Sequence, residues 1–312
     1  MKSALLLFLM FLFPAAVTAN SCTTVRFGVV DWTDVQATTA TAEQLLTRLG
    51  YEVETELLSV PEVYQKLSKG ELDVFLGNWM PTMEPIIQPY LLNKSVDVLG
   101  KNLSGAKYTL AVPSYVYDAG VRSFADIVRF KDQFKNKLYG LEKGNDGNAL
   151  LQDVIAKNDF SLGNFSLVEL PERLMLYQVK RHIRDGDWIA FLAWAPHPMN
   201  ENFDIRYLAG GDAYFGPDLG GSTVYTNTRA NFRRDCPNVA KLLDNLEFSL
   251  EMEGEVMNMM LGEFVPGDRA VRDWMFRNPA TLNDWLNGVT NQQGNTVNPA
   301  ELAEGMQLTF SD

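Results

Sequence analysis

Three short apolar runs in this chain end in tryptophan: VRFGVVDW at Trp32, LDVFLGNW at Trp79 and DWIAFLAW at Trp194. Each run has the length of a buried strand, and each is followed at once by a breaker or polar residue: Thr33-Asp34, Met80-Pro81 and Ala195-Pro196. Strands that stop abruptly and alternate with helical stretches predict βαβ units around a parallel sheet. The intervening segments fit. Thr41–Leu49 reads as a helix stopped by Gly50, Glu52–Leu58 as a strand, Pro61–Lys69 as a helix closed by Gly70, and Leu72–Leu76 as a strand, each glycine standing where a helix C-terminus needs one. In open α/β sheets the crevice beyond the carboxyl ends of the strands is where ligands bind. Three separate segments therefore aim large π-faces at one cleft.

The same grammar continues through the middle of the chain. Tyr108–Val112, Leu138–Leu141, Leu167–Leu170 and Ile189–Ala193 are strand-like, with helices expected at Ser123–Phe130, Asn148–Lys157 and Pro171–Arg184. The last third reads as mostly helical, over Val239–Leu261, Asp268–Phe276 and Thr281–Val289. Leu282, Trp285, Leu286 and Val289 form a helical stripe, and Trp274 lies beside Val271 and Met275, so both tryptophans are assigned to the core. Trp188, which opens its strand, and the methionines around Met252 and Met257 are read as packing too.

The N-terminus, with Lys2, an apolar run from Ala4 to Phe13, Pro14 and small residues to Ala19, has the form of a secretory signal peptide over 1–19. The run is shorter than the ~20 residues a membrane span requires. A lipoprotein reading competes because Cys22 follows Ser21, but a lipidation box places Leu three residues before the cysteine, where Ala19 stands here. Export makes the two cysteines, Cys22 and Cys236, candidates for one disulfide. That bridge would join both chain ends into one discontinuous lobe, 20–107 with 213–312, and leave 108–212 as a second. The crossovers then fall near 105–112 and 208–224, the plan of a receptor that closes by a hinge. Asn-x-Ser sites at Asn93, Asn102 and Asn164 matter only in a glycosylating compartment.

A formal charge of −12 argues against nucleic acid and anionic membrane surfaces as partners. Catalytic patterns are sparse. Of two histidines, His182 sits in the basic stretch Lys180-Arg181-His182 and reads as solvated, and no serine elbow, P-loop, dinucleotide fingerprint or metal-ligand spacing occurs. A box of indole faces with few donors suits a cation that cannot donate hydrogen bonds, a quaternary ammonium. Beside it, Asp34 reads either as a loop carboxylate or helix cap, or as a counter-charge and acceptor. Asn145, in the turn Gly144–Gly147 before a helix, reads either as a turn residue or as an amide presented to a ligand.

Together, Trp32-Thr33-Asp34, Gly77-Asn78-Trp79-Met80-Pro81 and Trp194-Ala195-Pro196-His197, with Asp204, Tyr207 and Leu208 downstream, resemble the substrate-binding proteins of glycine betaine/carnitine/choline ABC importers, most of all the choline-binding members. The likeness runs from about Val25 into the C-terminal helices. It implies a type II periplasmic-binding-protein fold, two α/β lobes joined by two hinge crossovers, with no cofactor or metal and no catalysis. It implies a periplasmic monomer that hands its ligand to a membrane permease, and an aromatic cage of Trp32, Trp79, Tyr108 and Trp194. Tyr108 enters by resemblance alone. Asp34 and Asn145 match the positions that deal with an alcohol end. Pro198 departs from the betaine-binding pattern, where a further tryptophan is common. Choline and betaine share the trimethylammonium head, but an ionised Asp34 would repel betaine's carboxylate while accepting from choline's hydroxyl. Choline is therefore the expected ligand, with acetylcholine secondary; glycine betaine, proline betaine and carnitine are the alternatives, and an exported choline-ester hydrolase is a third reading.

Overall fold

The computed structural model describes residues 22–307, so the signal peptide expected over 1–19 lies outside the described residues. Nine strands form one curled mixed sheet: β1 Thr24–Val29, β2 Glu52–Leu57, β3 Val74–Met80, β4 Val96–Pro113, β5 Lys137–Gly140, β6 Ser166–Glu169, β7 Phe191–Ala195, β8 Ile205–Tyr207 and β9 Gly221–Arg229. Their order is β2-β1-β3-β9-β4-β7-β5-β6, with β8 on β4. At one end β2, β1 and β3 run parallel, and at the other β7, β5 and β6 do so. These are the βαβ units that the alternation of apolar runs and Gly-closed helices dictates. Gly70 caps the helix Val60–Lys69 in the left-handed region at φ 69°, as expected.

The centre of the sheet departs from an all-parallel plan. β4 is 18 residues long; its first half pairs antiparallel with β9 and its second half with β7, so a single strand passes from one parallel end to the other. Register shifts between Val98 and Ala106 bend it on the way. Sequence patterning predicts only Tyr108–Val112 of β4 and none of β9, because these strands carry polar residues that are satisfied inside the sheet. Buried Asn102, in one of the glycosylation motifs, donates to the Leu76 carbonyl at 2.9 Å and to Thr226 at 3.1 Å, tying three strands together. Asp73, just before β3, likewise joins β1 and β9, bonded to Arg26 at 2.9 Å and Arg229 at 2.7 Å. Burial pushes the Asp73 carboxyl up, yet these guanidinium bonds prevail and hold it below its ordinary value.

Two further expectations are corrected. The helix read over Val239–Leu261 is two, Pro237–Asn245 and Leu250–Gly262, broken where Ser249 caps the second by accepting from the Met252 N–H. His182 is buried, not solvated: its helix Glu172–Asp185 turns it inward against the Tyr139 ring, with Nδ1 2.7 Å from the Gln178 carbonyl. Trp274 and Trp285 stack on each other in the core at 6.0 Å, and Trp188 packs on Phe130 and Phe134.

Cys22 and Cys236 are bonded, with Cα atoms 5.3 Å apart across 214 positions of sequence. Closing so long a loop removes much unfolded-state entropy. Reduction should lower the unfolding free energy by about 3–5 kcal/mol, read as a fall in the denaturant midpoint with dithiothreitol; an unmoved midpoint would contradict it.

Candidate functional site

All six residues singled out from the sequence line one cavity. Trp32, Asp34, Trp79, Tyr108, Asn145 and Trp194, joined by Leu141 and Asp146, line it between the two parallel ends of the sheet. Trp32 is the residue at which the chain leaves β1 and enters the helix Thr33–Arg48; it is extended, at φ −116° and ψ 134°, and its side chain makes no cap. Its indole is free to face the cavity, while Nε1 donates to Glu142 at 2.8 Å from beyond β5. Trp79 stands near the end of β3, and its Nε1 donates to Asp34 Oδ2 at 3.1 Å. Tyr108 and Trp194 are register partners across β4 and β7.

The rings stand steeply to one another. Tyr108 lies 6.1 Å from Trp79 at 64° and 6.5 Å from Trp194 at 87°, so edges meet faces and the walls form a corner. Phe215 backs Tyr108 at 5.9 Å. The Tyr108 hydroxyl is seated by Gly147, where a Cβ would come within 2.2 Å of it. It donates to Asn145 Oδ1 at 2.9 Å, and the same oxygen accepts from the Asn148 N–H at 3.0 Å as the cap of the helix Asp146–Ala156. Asn145 is thus the cap of the helix it precedes. Its oxygen is spent on the cap and the tyrosine, which fixes the amide and leaves Nδ2 as the group with donors to offer.

Asn145 Nδ2 and Asp34 Oδ1 are buried without a hydrogen-bond partner, as is Trp194 Nε1. Such orphans cost free energy unless something fills the space between them. No Lys or Arg lines the cavity, yet two carboxyls, Asp34 and Asp146, do, and others lie nearby. Burial, reinforced by the charge of Glu172, pushes Asp34 up to about 7 against the bond from Trp79. Burial likewise raises Glu142 to about 7 and Asp146 to about 6, and lifts Glu253 well above its ordinary value with help from Asp34. Carboxyls raised together in one desolvated site lack a positive partner.

Sequence reasoning missed Asp146, Glu142 and Leu141. Asp146 was within reach, since it follows Asn145 in a turn already under suspicion; Glu142 is placed by the tertiary fold alone. Among the described residues, no group of three His, Cys, Asp or Glu could hold a metal ion, and no helix is long and apolar enough to cross a membrane.

Residues 23–277 match the family model for the substrate-binding domain of ABC-type glycine betaine transport systems. Among solved structures, an ABC-transporter choline-binding protein in complex with choline superposes with a TM-score of 0.89 at 48% identity, covering 91% of this chain and 98% of that one. The lactococcal OpuAC protein, closed on glycine betaine, gives a TM-score of 0.76 at 25% identity over 84% of this chain and 99% of its own. An uncharacterised protein, ORF1, from Chromohalobacter salexigens is 49% identical over 144 residues, which is 46% of this chain and 93% of that one. The chain belongs to the family of substrate-binding domains of ABC-type glycine betaine transporters, the receptor component of an ABC importer.

Proposed function

We propose that this protein is a choline receptor, exported to the periplasm with its leader cut after Ala19, that closes its lobes on the ligand and presents the closed form to a membrane permease. One observation carries the reading: an aromatic cavity in which Asp34 Oδ1 and Asn145 Nδ2 are both buried and unpartnered. A hydroxyl between them donates to the first and accepts from the second. The rings of Trp32, Trp79, Tyr108 and Trp194 hold the trimethylammonium head, which forms no hydrogen bonds and needs none. Each desolvated cation–π contact is worth about 0.5–2 kcal/mol, so four faces with burial of the methyl groups reach the ~8 kcal/mol of a micromolar complex. The similarity to a choline-binding protein with choline bound supports the assignment. Glycine betaine has the same head, and the likeness to the betaine-bound lactococcal protein keeps it as the second reading. Its carboxylate would meet Asp34 and Asp146 in a cavity with no basic residue, which weighs against it.

Calorimetric titration of the purified protein with choline, glycine betaine, proline betaine and carnitine tests the assignment; silence with millimolar choline would end it. Trp79→Ala should weaken choline roughly tenfold or more, the loss of one desolvated face. Asp34→Asn should weaken choline and improve betaine relative to it. If the variant's preference equals that of wild type, Asp34 does not select between them.

The raised carboxyls give a pH signature of fixed sign. Carboxyls whose folded pKa lies above the unfolded value favour folding most below about pH 4, and that contribution is lost as pH rises through about 6–7. The ligand-free protein should therefore lose thermal stability between about pH 5 and pH 8 from these groups. Choline binding should run the other way, tightening over the same interval and releasing protons on binding. Titrations in buffers of different ionisation enthalpy measure that release, and a pH-independent affinity would contradict it.

A further inference from the structure

The helix Thr33–Arg48 begins without a cap of its own, since Trp32 offers no acceptor. The acceptor comes from across the cleft. Glu172, at the start of the helix that follows β6, takes the Thr33 N–H on Oε2 at 2.8 Å and the Thr33 hydroxyl on Oε1 at 2.6 Å. His197 meets the same Oε1 at 3.3 Å through Nε2. Its Nδ1 accepts from the Met199 N–H at 2.9 Å, so the proton belongs on Nε2 and His197 is the donor. All three residues are buried, Glu172 and His197 with side chains 2% and 1% exposed.

The connectivity gives this cluster its meaning. Thr33 lies between the cavity residues Trp32 and Asp34, on the helix that leaves β1. His197 lies against Trp194, ring centroids 4.6 Å apart, beyond the end of β7. Glu172 thus joins the segment that carries two cavity residues from one end of the sheet to the residue that supports a third from the other. It does so only while the ends are close, because a carboxylate at hydrogen-bond distance from a helix N-terminus loses both bonds to Thr33 if the cleft opens by a few ångström, while the bond from His197 stays with it.

We propose that Glu172 is the closure latch of this receptor: a positioning residue, held by His197, that caps the Thr33 helix in trans only in the closed state and thereby slows ligand escape. The latch rests on the choline reading for its ligand but not for its geometry. It acts on dissociation, since closure follows capture, whereas the open cleft that choline enters lacks the contact.

The test is stopped-flow tryptophan fluorescence on wild type, Glu172→Ala, Glu172→Gln and Thr33→Val, with choline and with glycine betaine and carnitine in parallel. Losing charge-assisted bonds from a buried site should raise the dissociation rate roughly tenfold to hundredfold in Glu172→Ala. Association should stay within about twofold. Glu172→Gln, which keeps one acceptor, should fall between, and Thr33→Val should raise the rate from the opposite side of the cleft even if a Glu172 variant folds poorly. Melting separates a latch from ordinary packing: the latch leaves the ligand-free melting temperature unchanged and shrinks the rise that ligand brings. Unchanged dissociation, or equal loss of stability with and without ligand, overturns the latch while choline binding by wild type stands. Wild type that binds none of the three ligands overturns both.

Discussion

A desolvated carboxylate with no cation beside it organises this molecule. Asp34 is buried on the first turn of the helix Thr33–Arg48, lining the aromatic cavity, with one oxygen on the Trp79 indole and the other without a partner. Burying an ion without a partner is expensive, and the site meets the cost by raising the carboxyl rather than by supplying a lysine or arginine. What such a site lacks is a positive charge that brings its own apolar surface. The four rings around it are the other half of that statement, since their negative faces attract a cation while their area rewards its methyl groups.

The sheet makes this arrangement possible. β4 runs through both ends of the sheet, carrying Tyr108 opposite Trp194 in register, while β9 returns the chain beside it. Gly220, at φ 77°, lies so close to the Tyr108 backbone that a Cβ there would fall 2.1 Å from its carbonyl oxygen. The crossing is therefore tight at the level of the cavity floor, and polar contacts join the two ends above it, Trp32 to Glu142 and Thr33 to Glu172. Hydrogen bonds to carboxylates can be exchanged for water at modest net cost.

Different parts of the molecule were legible to different degrees. The outer βαβ units could be read directly, because β1 and β3 are apolar runs and the helices end at glycines such as Gly70. The central strands could not. β9 reads Gly-Ser-Thr-Val-Tyr-Thr-Asn-Thr-Arg, and its buried Thr226, Asn227 and Thr228 defeat a hydropathy pattern. His182 misled for the opposite reason: its charged neighbours Lys180 and Arg181 suggest a solvated face, although the helix turns every third or fourth side chain inward regardless of what flanks it.

The sequence alone determined the kinds of residue at the strand tips, and hence that indole faces and one carboxylate would stand at the mouth of an α/β cleft. Local periodicity and turn chemistry are enough for that, because strand ends and helix starts are set within a few residues. Only the tertiary structure decided which groups complete the site and which hold it closed. Asp146, Glu142, Glu172 and His197 take their roles from neighbours as far as 139 positions away, as in the bond from Thr33 to Glu172. Their bonds exist because packing desolvates them, and desolvation is a property of the assembled volume that no stretch of chain carries by itself.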